Sequence, residues 1–307
     1  MTIPLPIIDA HHHFWDLSLG AQEWLCRPPW VPFRYGDYTA IRHDFLLADY
    51  QRVTAGHDVV ATVTMEAEWD EHRLVEETRW TNALHQANPC FPAAHVARTF
   101  LHLPGAADEL AQHAAFPFVK GIRHKPTAAS SPDRIEPGAR AGLTCPAWRR
   151  GFKALGDHGL HFELQAPWWH VDELIDLASA HPGVPIVINH AFMPADRSPA
   201  ALDGWRAAIR RAATIPHATM KISGFGIRDV GWPLEQQRPI VDHLIACFGP
   251  SRCMIASNFP VDGVTGSFDT IYSGYKSLTA HLSHADRQRL FHDTAVRVYR
   301  LGIAPLA

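Results

Sequence analysis

The chain contains no uninterrupted stretch of eighteen apolar residues, so a membrane-spanning helix is not expected. Its opening, MTIPLPIIDA, lacks a basic segment followed by a long apolar one, so a cytoplasmic location is expected rather than a secretory route. Dense Lys/Arg runs are also missing. With a formal charge of -3, neither nucleic acid nor an anionic membrane is the expected partner, and a small molecule is. Five cysteines, Cys26, Cys90, Cys145, Cys247 and Cys253, are scattered without CxxC spacing, which argues for reduced thiols and against a zinc knuckle or a disulfide framework. Any metal would have to rely on His and carboxylate. No dinucleotide glycine fingerprint and no repeat with a 20–50-residue period stand out, and self-association is left open.

What is present is a recurrent unit. Short apolar, β-branched runs alternate with longer segments whose apolar residues fall three and four apart. The expected strands are 7–11, 59–66, 93–101, 118–124, 160–165, 185–190, 219–223 and 253–258. Between them DFLLADYQRVTAG, DEHRLVEETRWTNALHQAN, PAWRRGFKALGDHG, VDELIDLASAHPG and LEQQRPIVDHLIACFG read as helices. Eight βα units over residues 1–307 predict one α/β domain, a (β/α)8 TIM barrel. SHADRQRLFHDTAVRVYRLG, with Ser283 three residues before Asp286, predicts a terminal helix packed on it. The third strand is unusually polar. KPTAASSPDRIEPGARAG reads as a long loop, either a lid or merely solvated, and the aromatic-rich QEWLCRPPWVPFRYGDY, with Arg27 and Arg34, either roofs a pocket or packs over the barrel end.

In such barrels the reactive groups stand at the C-terminal ends of the strands. The first strand ends His11-His12-His13; side chains alternate, so His11 and His13 share a face, where two imidazoles can hold one cation or simply meet water. The second ends near Glu66 and Glu68. The fourth carries Gly121, Arg123 and His124: a close-approach backbone, a planar donor fork and a group that titrates near neutrality. The fifth places Glu163 and Gln165 on one face, before Trp168 and Trp169, which either wall a pocket or pack in the core. The sixth ends Asn189-His190. The seventh buries Lys221, a cost unless an acidic group pairs with it. The eighth ends in Asn258, with Asp262 following.

DAHHHFWD, GIRH, INHA, KISGF and SNFPVD, in this order and at these separations, resemble the amidohydrolase-related (amidohydrolase 2) branch of the amidohydrolase superfamily. The likeness is to its TIM-barrel metal-dependent hydrolases, which include sugar lactonases such as fuconolactonase, and pyrone-dicarboxylate lactonase. It runs from about Ile7 to LFHDTAVRVYRLG. The resemblance implies a hydrolytic site at the strand C-termini, His11 and His13 as a metal-binding pair, His190 as the sixth-strand histidine, and Arg123 with His124 as the fourth-strand contact. The acidic residue usual at the eighth-strand tip falls on Asn258, and an amide cannot take a proton from water. The base is then expected among Asp262, His190 and His124. Gln165 stands where many members have a histidine or a bridging lysine, which argues against two metals. One divalent ion, zinc being the expected one, is implied, with metal-free catalysis left open.

The expected reaction is hydrolysis of a lactone, either a sugar lactone or a carboxylated ring, by activated water. Glu66, Arg123, Gln165, Lys221 and Asn258 are the expected substrate contacts, with Arg123 or a metal stabilising the oxyanion. Two rivals are a non-oxidative decarboxylase of the same superfamily, which typically needs the acid that Asn258 replaces, and a sugar-acid-binding barrel without chemistry.

Overall fold

The computed structural model describes residues 5–304. Eight parallel strands form one sheet in the order β1 (Ile7–His12), β2 (Val59–Met65), β3 (Ala94–Arg98), β4 (Val119–Arg123), β5 (His161–Leu164), β6 (Ile186–Ile188), β7 (Ala218–Ile222) and β8 (Cys253–Ile255). The sheet curls until its edges meet just beyond β8. There Asn258 N donates to His11 O at 2.7 Å and His13 N to Phe259 O at 2.7 Å. The result is a (β/α)8 TIM barrel, with a helix after each strand packed on its outer face. Each expected strand is present and stops one to three residues short of its expected C-terminal end, or one residue beyond it for β1, so the chemistry-bearing tips belong to the loops. Crossover helices Ala106–Ala114, Pro199–Ala212 and Phe268–Leu278 complete the set that periodicity indicated only in part. No helix among the described residues is long and apolar enough to cross a membrane.

β3 is a strand despite its polarity, with His95 stacked on Phe118 and its Nδ1 3.1 Å from Thr64 Oγ1. The barrel interior is filled by small and β-branched residues, among them Ile8, Ala10, Ala61, Val63, Val96 and Val187. Alternation from Ile8 and Ala10 would turn His11 outward. Between Asp9 and His12, however, the register slips against β2 (Asp9 opposite Thr62, His12 opposite Thr64), and this irregularity resets the alternation. His11 and His13 then face the same way, with ring centroids 5.2 Å apart, while His12 points outward between Phe14 and Tyr50.

The terminal helix is built as its sequence indicates: Ser283 Oγ accepts from Asp286 N at 3.1 Å, and the chain continues through 284–288 to Thr294–Tyr299. Ala295, Val296 and Tyr299 join the barrel interior. Tyr299 donates its hydroxyl to Glu163 Oε1 at 2.7 Å, and Glu163 Oε2 accepts from Lys221 Nζ at 2.6 Å. Lys221 is thus paired with an acidic group, as expected, but within the barrel. Gly121 serves the same cluster: a Cβ there would lie 2.3 Å from the His161 ring, which contacts Glu163 Oε1 at 3.3 Å, so its bareness admits a side chain rather than a ligand.

Candidate active site

A cavity of about 350 Å³ opens at the C-terminal ends of the strands. Its floor is made by strand tips: His13, Glu66, Arg123, Gln165, His190 and Asn258. Its roof comes from the segment after β1, through Trp24, Val31, Pro32, Phe33 and Arg34, so the aromatic-rich loop does cover a pocket. Of the long segment after β4 only Lys125, ion-paired with Glu68, reaches the lining. The rest is pinned elsewhere, with Trp169 Nε1 on Ala129 O and His170 Nε2 on Ala129 N, each at 3.0 Å.

Arg123 is held from several directions. Its Nε donates to Glu66 Oε1 at 2.6 Å, Nη2 to Glu66 O at 2.8 Å and Nη1 to Gln165 Oε1 at 3.1 Å, with His11 Nε2 at 3.4 Å. Burial would raise the Glu66 carboxyl; the Arg123 guanidinium overrides it, with Arg98 and Lys125 adding, and holds it at about 2. Glu66 is therefore an ionised brace for Arg123. Because Gln165 turns its oxygen to Arg123, its NH2 group is left as a donor to the cavity. His13 is oriented likewise: Nδ1 can only donate to Met65 O, 3.2 Å away, so Nε2 carries the lone pair.

His190 sits in a rare backbone. It and the next three residues, Ala191, Phe192 and Met193, all have φ between 54° and 59°. Each such residue costs roughly 1–2 kcal/mol without glycine, and tertiary contacts hold the turn: Trp205 Nε1 donates to Ala191 O at 2.7 Å. β7 then completes the setting. Ser223 Oγ lies 2.9 Å from His190 Nδ1, and a Cβ on Gly224 would come within 2.6 Å of the ring. The INHA and KISGF segments thus work together, one presenting an imidazole and the other fixing and accommodating it. Burial, followed by the fields of Arg34, Arg123 and Lys221, holds His190 well below its ordinary pKa, so it is neutral at pH 7.

Asn258 adopts φ 56°, a conformation asparagine tolerates better than most residues. Its Nδ2 donates to Asp262 Oδ1 at 2.6 Å, leaving its oxygen as the group turned away from the carboxylate. Asp262 Oδ1 also accepts from Tyr35 Oη at 2.9 Å and Arg34 Nη2 at 3.3 Å. Burial raises the Asp262 pKa, against Arg34 and the hydrogen bonds from Asn258 and Tyr35.

Four expected site residues, His11, His124, Lys221 and Asp262, do not line the cavity. His124 points away from Arg123's face: its Nδ1 accepts from Trp148 Nε1 at 2.9 Å and Leu101 N at 3.1 Å, and burial lowers its pKa to about 3. A proton shuttle there is corrected to a packing role. Lys221 is corrected from a substrate contact to the partner of Glu163, because it lies deeper in the barrel. Asp262 stands behind Asn258. Trp168 and Trp169 also lie off the lining, the former against Gly204. Arg34, Trp15, Trp24 and Phe33 line the cavity without having been singled out as site residues, and Ser223 holds His190 unannounced.

His11, His13 and His190 cluster closely, His11 and His190 having ring centroids 4.7 Å apart, and supply residue types suited to zinc. Their donor directions do not suit it. His11 Nε2 faces Arg123 Nη1 and His11 Nδ1 faces Lys221 Nζ, each at 3.4 Å, so both ring nitrogens meet cationic N–H donors. Among the described residues no three His, Cys, Asp or Glu side chains are arranged to hold one ion. As set, the residues do not fit a divalent metal.

The model of the family described as amidohydrolase matches residues 8–301. An uncharacterized protein of Sinorhizobium fredii is 34% identical over 297 residues, covering 97% of this chain and 99% of its own. An L-fucono-1,5-lactonase of Burkholderia multivorans is 26% identical, with 96% of each chain covered. Among solved structures, an amidohydrolase from Burkholderia multivorans with bound zinc superimposes with a TM-score of 0.78 at 24% identity, over 96% of this chain and 99% of that one. With a family match across nearly its whole length and a barrel of the same fold, this chain belongs to the amidohydrolase family.

Proposed function

We propose that the protein is a hydrolase that opens a lactone ring with water activated by His190. The observation that carries this reading is the polarity of the cavity. One set of groups offers lone pairs: His190, whose Nδ1 is engaged by Ser223, His13 Nε2, and the Asn258 oxygen. Another offers N–H: the Gln165 amide and the single Arg123 N–H left after four of its five face other partners. Such a site is complementary to a water molecule beside a carbonyl that is becoming an oxyanion. The 26% identity with an L-fucono-1,5-lactonase supports the same chemistry.

In the proposed reaction, His190 Nε2 takes a proton as the water oxygen bonds to the lactone carbonyl carbon. The negative charge formed on the carbonyl oxygen is met by Gln165 and Arg123. Collapse of this tetrahedral species breaks the ring C–O bond, and the departing alkoxide receives the proton from His190, giving a hydroxy acid. No step passes through a metal, because His11 is flanked by donors. The decarboxylase reading is disfavoured by Asn258 at the β8 tip.

The test is a panel of five- and six-membered lactones followed with a pH indicator, run beside a carbon dioxide assay on aromatic acids. Proton release on ring opening supports the proposal. Carbon dioxide release without lactone turnover transfers the protein to the decarboxylases, and a ligand-induced melting shift without either reaction makes it a binding barrel.

A further inference from the structure

The charges of the cavity are unevenly matched. Arg123 has Glu66 at 2.6 Å, and Lys125 is ion-paired with Glu68, so two of the three lining cations have a lining carboxylate. Arg34 does not. Its one ionic partner among the described residues, Asp262, lies at 3.3 Å and is itself almost wholly buried, with Oδ1 already accepting from Asn258 at 2.6 Å and Tyr35 at 2.9 Å. The Arg34 side chain is only 28% exposed, and of its five N–H donors one makes this long hydrogen bond. The Tyr35 ring lies 4.6 Å below the guanidinium carbon, which fixes the plane of the fork and satisfies none of its hydrogens.

We propose that Arg34 is a specificity residue that clamps a carboxylate borne by the substrate, making the preferred substrate an anionic ring lactone rather than a neutral one. This rests on the lactonase reading of the same cavity and narrows it. A carboxylate accepts two parallel N–H bonds from a guanidinium fork, the geometry a half-buried arginine with unengaged donors is built to give. When Arg34 turns to the substrate, Asp262 Oδ1 keeps its hydrogen bonds from Asn258 and Tyr35. Beside Arg34 the roof offers a flat apolar surface, Trp24 and Phe33 stacked 17° from parallel, with Trp24 Nε1 anchored to Ala67 O at 3.1 Å. A ring against that surface, with its carboxylate on Arg34, satisfies both features.

The experiment compares one six-membered lactone bearing a ring carboxylate with the same lactone as its carboxamide, on the wild-type chain and on Arg34→Met and Arg34→Lys. The wild type is expected to favour the carboxylate at least tenfold in kcat/KM. Arg34→Met brings the ratio near one, mainly through KM for the acid, and Arg34→Lys falls between. An equal rate on both lactones, or a ratio unchanged in Arg34→Met, overturns the proposal while leaving lactonase activity standing. A separate melting-shift arm uses a non-hydrolysable cyclic ether carboxylate and its amide. If no lactone is opened, the lactonase reading falls, and stabilisation of the wild type but not of Arg34→Met by the acid alone still supports the clamp; equal stabilisation of both removes it.

Discussion

Asn258 Nδ2 and Asp262 Oδ1 lie 2.6 Å apart, and this contact sets which end of the amide meets the cavity. Asp262 therefore acts through Asn258 as a positioning residue. Asp262→Asn is expected to lower kcat about tenfold, less than the hundredfold or greater loss typical of a missing general base. The acid limb of the pH–rate profile should not move, since the proton acceptor is elsewhere. A displaced acid limb, or a loss beyond a thousandfold with the fold intact, would return the base to Asp262.

His190 is the base in the proposed reaction, and Ser223 orients it from the neighbouring strand. His190→Asn should reduce turnover by at least about a hundredfold with an unchanged far-UV spectrum. Ser223→Ala should cost about fivefold, the equivalent of one hydrogen bond of about 1 kcal/mol. Near-normal turnover in the first variant would remove His190 from the chemistry.

Lys221 and Glu163 form a fully buried pair at 2.6 Å, with Tyr299 on the same carboxylate. Removing one member strands a charge, so Lys221→Met should destabilise by about 3–5 kcal/mol in urea unfolding. A loss well below 1 kcal/mol, combined with a large rise in KM, would instead restore Lys221 as a substrate contact.

The flanking of His11 by Arg123 and Lys221 leads to a prediction about metal. Protein purified without chelator should carry well under one equivalent of zinc, and prolonged chelation should leave lactone turnover within about twofold. Stoichiometric zinc whose removal abolishes activity and whose return restores it would show that Arg123 or Lys221 yields its place to the ion.

Much of this architecture was legible because most strands are short apolar runs and their tips end in polar residues. Glu66, Arg123, Gln165, His190 and Asn258 could be found at the cavity by that logic alone. The failures have definite causes. Arg123 and His124 are adjacent, and alternation sends only one of them inward. Lys221 shares a face with Ser223 but lies two residues deeper, about 6–7 Å at the rise of a strand, where it meets Glu163 instead of the cavity. Arg34 lies in a loop, where no periodicity assigns direction. The pairing of Ser223 with His190 joins residues 33 apart, which spacing does not reveal.

His12 yields the last prediction, a pH dependence of stability. Its ring is packed between Phe14 and Tyr50, and burial lowers its pKa to about 3. The folded pKa lies below the unfolded value near 6.5, so the unfolded chain binds the extra proton in between. Stability from this group is complete above pH 6.5 and is lost as pH falls toward 3, by up to about 1.4 kcal/mol per pH unit. His95 and His124, also lowered to about 3 by burial, act in the same direction. Urea unfolding at pH 7.5, 6 and 5 should show this fall, and His12→Phe, which keeps an aromatic ring in the slot, should reduce the slope at pH 5 by about one proton. An identical slope in the variant would mean that His12 is protonated, or has found a partner, in the folded protein.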